Sequence, residues 1–309
     1  MDTSPLSTRR FIALTLAAAA ALASVTSCSR RPPVDPAYRA RIDAWRKARV
    51  AALTAETGWL SLVGLYWLEP GPNAFGSSAD AAVVIPGAAV PPVAGTLDLA
   101  ADGTVTVHVR PDAAVTMNGE PVSEAVLRSD ASGGPDTLRM GDVRFYVIAR
   151  GGRLAVRVKD PASPTRQNFK GIEYFPVDPA FRVEGTFEPY PEPRQVTVPT
   201  AAGTQATTQA PGVVRFTLEG REMTLQAWDE GKDLFFVFRD ATSGKQTYGA
   251  GRFLDAAPPE PGSRTVVLDF NEAYNPPCAF TPYATCPLPP EENALPVAVT
   301  AGEKYSGHH

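Results

Sequence analysis

Histidine is almost missing from this 309-residue chain: there are three, and two of them, His308 and His309, are its last residues. A serine or cysteine nucleophile ordinarily needs a base beside it. The internal candidate, His108, lies in TVTVHV on one strand face with Thr104 and Thr106, which reads as a polar sheet face rather than a triad. A zinc centre is poorly served by the same shortage. Basic excess is missing too. The formal net charge is −4, which excludes the basic stripe of a nucleic-acid binder. The apolar run Phe11 to Ala23 is too short and alanine-rich for a membrane span. Phosphate-loop signatures fail: around Thr242-Ser243-Gly244-Lys245, Arg239 and Gln246 stand where glycine and Ser/Thr are needed. No motif asks for a cofactor or a metal. Proline, by contrast, is abundant, 31 residues spread along the chain. That disfavours long helices and favours a β-rich fold with many turns.

The front end reads MDTSPLSTRRFIALTLAAAAALASVTSC. Arg9 and Arg10, a short apolar stretch and a small-residue end make an export signal over residues 1–27. Val25-Thr26-Ser27-Cys28 resembles the lipobox of bacterial lipoproteins. That resemblance implies acylation of Cys28 and attachment to a membrane of the cell envelope. Ser29, in place of an inner-membrane-retaining Asp, implies the periplasmic face of the outer membrane in a host that has one. Thr8-Arg9-Arg10 also looks like a twin-arginine signal. Losing Arg9, Arg10 and Asp2 leaves a mature net charge of −5. Two cysteines remain, Cys278 and Cys286, and in an oxidising compartment they are expected to form a disulfide.

Residues 28–58 read as a stiff tether and a basic helix. Asp35 is the N-cap candidate, Pro36 takes the first helical position and Gly58 the C′ position. Tyr38, Ile42, Trp45, Val50 and Leu53 recur at helical spacing. Arg39, Arg41, Arg46, Lys47 and Arg49 make the other face, read as solvated or as leaning on anionic headgroups. Residues 59–160 then carry short alternating strands, Thr104–Val109, Val143–Ile148 and Leu154–Val158, between turn signals such as Asn118-Gly119. The pattern predicts a β-sandwich. In outline it resembles a forkhead-associated (FHA) domain, on GLYWLEPGPNAFGSSADAAVVIP, MNGEPV and LRMGDVRFYV. Ser77 stands where that family has its phosphate-binding arginine, and GAAVPPVAG lacks the Ser-x-x-His signature. The resemblance therefore implies the fold without phosphopeptide reading.

Residues 161–309 predict a second antiparallel β-module. Its strands are Phe181–Tyr190, Arg194–Val198, Val213–Leu218, Glu222–Ala227, Leu234–Phe238, Lys245–Leu254 and Arg264–Phe270. The polar, threonine-rich Ala201–Pro211 reads as a mobile loop, and Asp240–Gly244 as a hairpin turn. The pieces FRDATSGKQTYGAGRFL, VVLDFNEAYNPPCAFTPYATCPLPP and EENALPVAVTAGEKY, with GWLSLVGLYWLEPGPNAFG and RQNFKGIEYFP upstream, resemble the family called domain of unknown function 1684. The resemblance implies no reaction and no ligand.

NPPCAFTPYATCPLPP, Asn275 to Pro290, holds six prolines. Each fixes φ and removes a donor, so the segment predicts an irregular surface strap. If it folds back on the sheet, Arg252, Asp269, Asn271, Tyr274, Asn275, Glu303 and Lys304 come together as candidate ligand-binding groups, or as a hydrogen-bond network pinning the strap. The reading is a lipid-anchored, noncatalytic binding or interaction module whose partner is a small polar ligand, a glycan or an envelope protein. A hydrolase using carboxylates around Asp269 and Glu303 is the alternative.

Overall fold

The computed structural model describes Met1, residues 33–229 and residues 231–307. The export segment, Cys28, His308 and His309 lie outside the described residues. Helix α1 (Pro36–Thr54) starts as its sequence predicts: the Asp35 carboxylate accepts from Tyr38 N at 2.8 Å, with Pro36 in the first turn. Its end differs. The cap is Ala55, φ −57° and ψ 153°, and Gly58 is extended, φ −68° and ψ 177°. Gly58 is set by crowding rather than by handedness. A Cβ there would lie 2.4 Å from the carbonyl oxygens of Ala52 and Leu53, because the chain turns back across the helix end.

Arg41, Arg46 and Arg49 of the basic face are docked on the body of the protein, which corrects the solvated reading for these three. Arg41 pairs with Asp269 and, at 2.6 Å, with Glu272; Arg49 pairs with Glu303 at 2.9 Å; Arg46 donates to the Phe175 carbonyl at 2.9 Å. Arg39 and Lys47 stay exposed. With only Ile42 and Leu53 fully buried, the helix has little apolar surface to hold it, and its arginines supply the attachment.

The sandwich comprises β1 (Leu62–Trp67), β2 (Gly71–Gly76), β3 (Val83–Val84), β4 (Gly95–Leu99), β5 (Val105–Val109), β6 (Thr116–Met117), β7 (Glu120–Pro121), β8 (Glu124–Leu127), β9 (Leu138–Met140), β10 (Val143–Arg150) and β11 (Arg153–Lys159). They form two sheets, ordered β1-β11-β10-β9-β6-β7 and β3-β2-β4-β5-β8. Alternation turns Phe75, Leu97, Val107, Phe145, Val156 and Val158 into the core between them. The Asn118-Gly119 turn has φ +52° and +99°, the left-handed pair a two-residue hairpin requires. His108 faces outward, 3.5 Å from Asp98 and 3.4 Å from Glu124 across neighbouring strands. Ser77 donates through Oγ to the Val90 carbonyl at 2.7 Å and so braces its own loop.

After a four-residue helix α2 (Pro164–Gln167) come β12 (Arg182–Pro199), β13 (Gln205–Leu218), β14 (Arg221–Asp229), β15 (Leu234–Phe238), β16 (Arg252–Ala256) and β17 (Thr265–Asp269). They make one antiparallel sheet ordered β16-β15-β14-β13-β12-β17. Three expectations change here. The predicted break at Pro191–Pro193 falls in a register shift, between Pro189 and Arg194, inside one long strand. The supposed mobile loop belongs mostly to β13, paired from Gln205 onward with β12; Thr197 and Thr207 join their hydroxyls across it at 3.0 Å. β-Branched threonines suit that pleated arm better than a coil. Finally, Lys245–Gly251 is irregular: the β15/β16 hairpin closes at Phe238 opposite Arg252, and Thr242 O accepts from the amides of Lys245, Gln246 and Thr247 within the loop.

Both faces of this sheet are covered. Phe236, Phe238, Leu254 and Leu268 pack on one side against Leu295, Val297 and Val299 of the C-terminal segment. That segment is extended with isolated bridges, such as Tyr174 opposite Glu303, rather than a strand. Phe235, Val237, Phe253 and Trp228 pack on the other side against Cys278, Ala284 and Cys286 of the strap. Burial on both faces is why β15 reads LFFVF without alternation. The strap is irregular, with one 3-10 turn at Pro277–Ala279. It is not a surface strap, however: Cys278, Ala279, Phe280, Thr281, Ala284 and Cys286 are all buried.

Candidate functional site

The predicted polar residues fall into three hydrogen-bonded groups, the second and third joined where Arg252 Nη1 donates to the Glu303 carbonyl at 3.4 Å. In the first, β17 ends at Asp269, whose carboxylate accepts from Tyr38 Oη at 2.9 and 3.0 Å and from Arg41. Asn271 Nδ2 donates to Tyr38 Oη at 2.9 Å and to the Asp178 carbonyl at 2.9 Å. Burial and the adjoining Asp269 charge push the Tyr38 phenol well above its usual range. The second group is built on Glu303. It holds Arg49 Nε at 2.9 Å and accepts from Asn275 N at 2.7 Å, while Arg49 also donates to the Asn275 carbonyl at 2.7 Å and lies over the Tyr274 ring. Burial raises the Glu303 carboxyl and Arg49 opposes that rise. Lys304 lies with its Nζ 5.2 Å from the centre of the Phe175 ring, and its carbonyl accepts from Asn275 Nδ2 at 2.8 Å.

The third group is centred on Arg252, which is completely buried. Its guanidinium meets Asp240 Oδ2 at 2.8 Å and the carbonyls of Val299 and Ala301. Gly251 beside it has φ +97°, and a Cβ there would meet the Phe238 carbonyl at 2.6 Å and Pro289 Cγ at 2.8 Å. That close approach is how the strap end lies against the β15/β16 hairpin. All three groups tie α1, the strap and the C-terminal segment to the sheet.

An open space adjoins the second group: a cleft of about 810 Å³ bounded by α1, the outer face of the sandwich sheet and the strap-bearing face of the second sheet. The period-two alternation of β14, β15 and β16 sends Trp228, Phe235, Phe253 and Asp255 to this side. α1 contributes Trp45 and Arg49; the 3-10 turn Trp59–Ser61 contributes Trp59; β10 and β11 contribute Arg150 and Arg157. Thr285 and Cys286 of the strap close one wall. Tyr274 is the member of the predicted set that lines it.

Polar groups in the cleft differ in how well they are matched. Arg150 is bound by Asp130 at 2.7 Å and reaches Thr285 Oγ1 at 3.3 Å. Arg157 lies with its guanidinium 4.9 Å from the centre of the Trp59 ring. Asp255 is exposed to the cleft; desolvation by its neighbours pushes its carboxyl above the usual range, against a hydrogen bond with Tyr274. Lys159, further along β11 and also over Trp59, is pulled down to about 8 by burial and by Arg157 and Arg144. Cys278 and Cys286 are in contact as buried thiols, with Cys278 N donating to Cys286 Sγ at 3.2 Å. Their mutual hydrogen bonding lowers Cys278 and raises Cys286, which burial raises further.

Except for Tyr274 and Cys286, sequence reasoning missed this wall. One signal was present: in RLAVRVK a lone arginine interrupts an otherwise apolar stretch of strand. On a sandwich that position belongs to the outer face, where an arginine is unremarkable until another module covers it.

In class, then, this is a two-module β protein with an aromatic, arginine-bearing cleft at the junction. Residues 167–304 match the family described as protein of unknown function (DUF1684). Among solved structures, an uncharacterised protein of Haloarcula marismortui determined by solution NMR is 38% identical. That similarity covers 47% of this chain and 81% of that one, with a TM-score of 0.40. Two FHA-domain structures are also similar in part. The FhaA FHA domain, complexed with an intracellular domain, is 20% identical over 30% of this chain and 86% of that one, TM-score 0.23. An FHA structure described for phosphothreonine-dependent interactions is 18% identical over 31% and 92%, TM-score 0.22. No curated protein matches the chain.

Proposed function

We propose that this protein is a noncatalytic binding module of the cell envelope and that its binding site is the cleft at the junction. The observation that carries the reading is the contrast between the two sets of residues. The carboxylates that acid–base chemistry would use, Asp269 and Glu303, are occupied by Arg41, Tyr38 and Arg49, whereas the cleft is open and walled by aromatic rings. Concave apolar sites with a few placed polar groups are where small ligands bind. The lipobox-like sequence supports attachment through an acylated Cys28, and intact-mass spectrometry of membrane-extracted protein checks it.

Ligand-observed NMR of the full chain with a mixed set of small aromatic compounds tests the cleft. Binding is expected, with loss of the same signals in Ala206→Phe, which puts a ring into the space. Absence of any binder, or binders indifferent to that substitution, would sink the cleft as the site. The competing hydrolase predicts turnover on an ester, glycoside and phosphoester panel that disappears in Asp269→Asn.

A further inference from the structure

Arg157 is the odd member of the cleft. It is 5% exposed, yet among the described residues no carboxylate lies within 4.0 Å of its guanidinium, and its buried Nε has no hydrogen-bond partner. The other two arginines of the cleft are neutralised, Arg49 by Glu303 at 2.9 Å and Arg150 by Asp130 at 2.7 Å. A buried, unpaired charge is strongly unfavourable unless something compensates it. The Trp59 ring at 4.9 Å supplies part of that compensation, since a ring face attracts a cation. It cannot accept the in-plane N–H bonds of a guanidinium, whose fork fits a carboxylate or phosphate.

We propose that the cleft binds a small anion carried on a flat aromatic body, with the anionic group on Arg157 and the body between the indoles and phenyl rings. This rests on the cleft being the binding site. The chemistry around Arg157 agrees with it. Arg150 and the Thr285 hydroxyl lie against each other at 3.3 Å elsewhere on the cleft wall, where Asp130 already holds Arg150, so Arg157 is left as the cleft arginine without a carboxylate partner among the described residues. Arg157 and Cys286 of the strap line the same cleft. Asp255, which would repel an anion, is hydrogen-bonded to Tyr274. The apolar wall is made of Trp45, Trp59, Trp228, Phe235 and Phe253, flat side chains that stack on a planar body.

The probes are 2-naphthoate and 2-naphthamide, which share a ring system and differ in charge. Titration calorimetry on the purified full chain, with its detergent or lipid alone as the blank, reads both. The expected result is a Kd for 2-naphthoate about tenfold or more below that for 2-naphthamide. Arg157→Gln is expected to erase that difference and leave the amide unchanged. Raising salt from about 50 to about 500 mM is expected to weaken only the naphthoate, a comparison that needs no variant. Equal affinities in the unaltered protein, or a preference that survives Arg157→Gln, would overturn the anion assignment while leaving a binding cleft in place. Failure of both probes to bind would overturn the aromatic-anion assignment, and the broader compound set with Ala206→Phe then decides the fate of the cleft separately.

Discussion

Arg252 and Asp136 show how differently two ion pairs can arise, the first buried on both sides and the second joining a buried carboxylate to an exposed arginine. Arg252 follows Gly251 in a hairpin whose alternation turns its side chain toward the C-terminal segment, where Asp240 and the carbonyls of Val299, Ala301 and Glu303 meet it. Replacing it with methionine leaves the Asp240 charge in a dry site. A loss of about 3–5 kcal/mol is expected from such a broken buried pair, read as a lower urea midpoint. Asp136 is held by Asn118 Nδ2, Arg128 N and the Arg128 guanidinium, each at 2.8 Å. Hydrogen bonding from Arg128 keeps its carboxyl far below the ordinary range. The stability from this depressed group is present above the unfolded-state value, about pH 4, and is lost as pH falls from there toward the folded value. Melting curves between neutral and strongly acidic pH should therefore fall less steeply in Asp136→Asn than in the unaltered protein. Neither pair was legible beforehand, because each joins residues whose closeness depends on strand register.

For the elements, the helix end and the strap carry the clearest consequences. Gly58 packs under the last turn of α1, so Gly58→Ala drives a methyl into the carbonyls of Ala52 and Leu53. Overpacking of that kind is expected to destabilise by about 1–3 kcal/mol, measurable by chemical denaturation. α1 itself is attached through Arg41, Arg46 and Arg49. The double change Arg41→Ala with Arg49→Ala should make trypsin cut at Arg39, Arg46 and Lys47 faster while the strands stay intact. In the strap, the touching thiols Cys278 and Cys286 are placed for the disulfide that an exported protein is expected to form. Non-reducing peptide mapping should find them linked. The bridge should add about 2–3 kcal/mol, lost on reduction. The strap's irregularity was plain from its prolines. Its burial was not, since proline density forbids a central strand but says nothing about which surface comes to lie over it.

Across the whole molecule, the cleft exists only because two β-modules and one helix meet. A ligand held there contacts all of them. At a concentration about a hundredfold above its Kd, 2-naphthoate should raise stability by about 2.7 kcal/mol. A thermal scan should show the unfolding of both modules moving up together. A shift confined to one part of the transition would place the ligand outside the junction.

Local chemistry was enough for the β-rich class, the capped start of α1, the Asn118-Gly119 hairpin and the irregular strap. These follow from proline, from a side-chain carboxylate beside free amides and from period-two alternation, all within a few neighbours along the chain. The arm β12/β13 was misread because polar threonines suit a loop or a pleated edge equally, and only the partner strand decides. The roles of Asp269, Glu303 and Arg252 as anchors, and the gathering of Trp59, Arg157, Trp228 and Phe235 around one space, were settled by tertiary structure alone. Each depends on residues tens to hundreds of positions apart, and a side chain's identity carries no record of what another module will bring to face it.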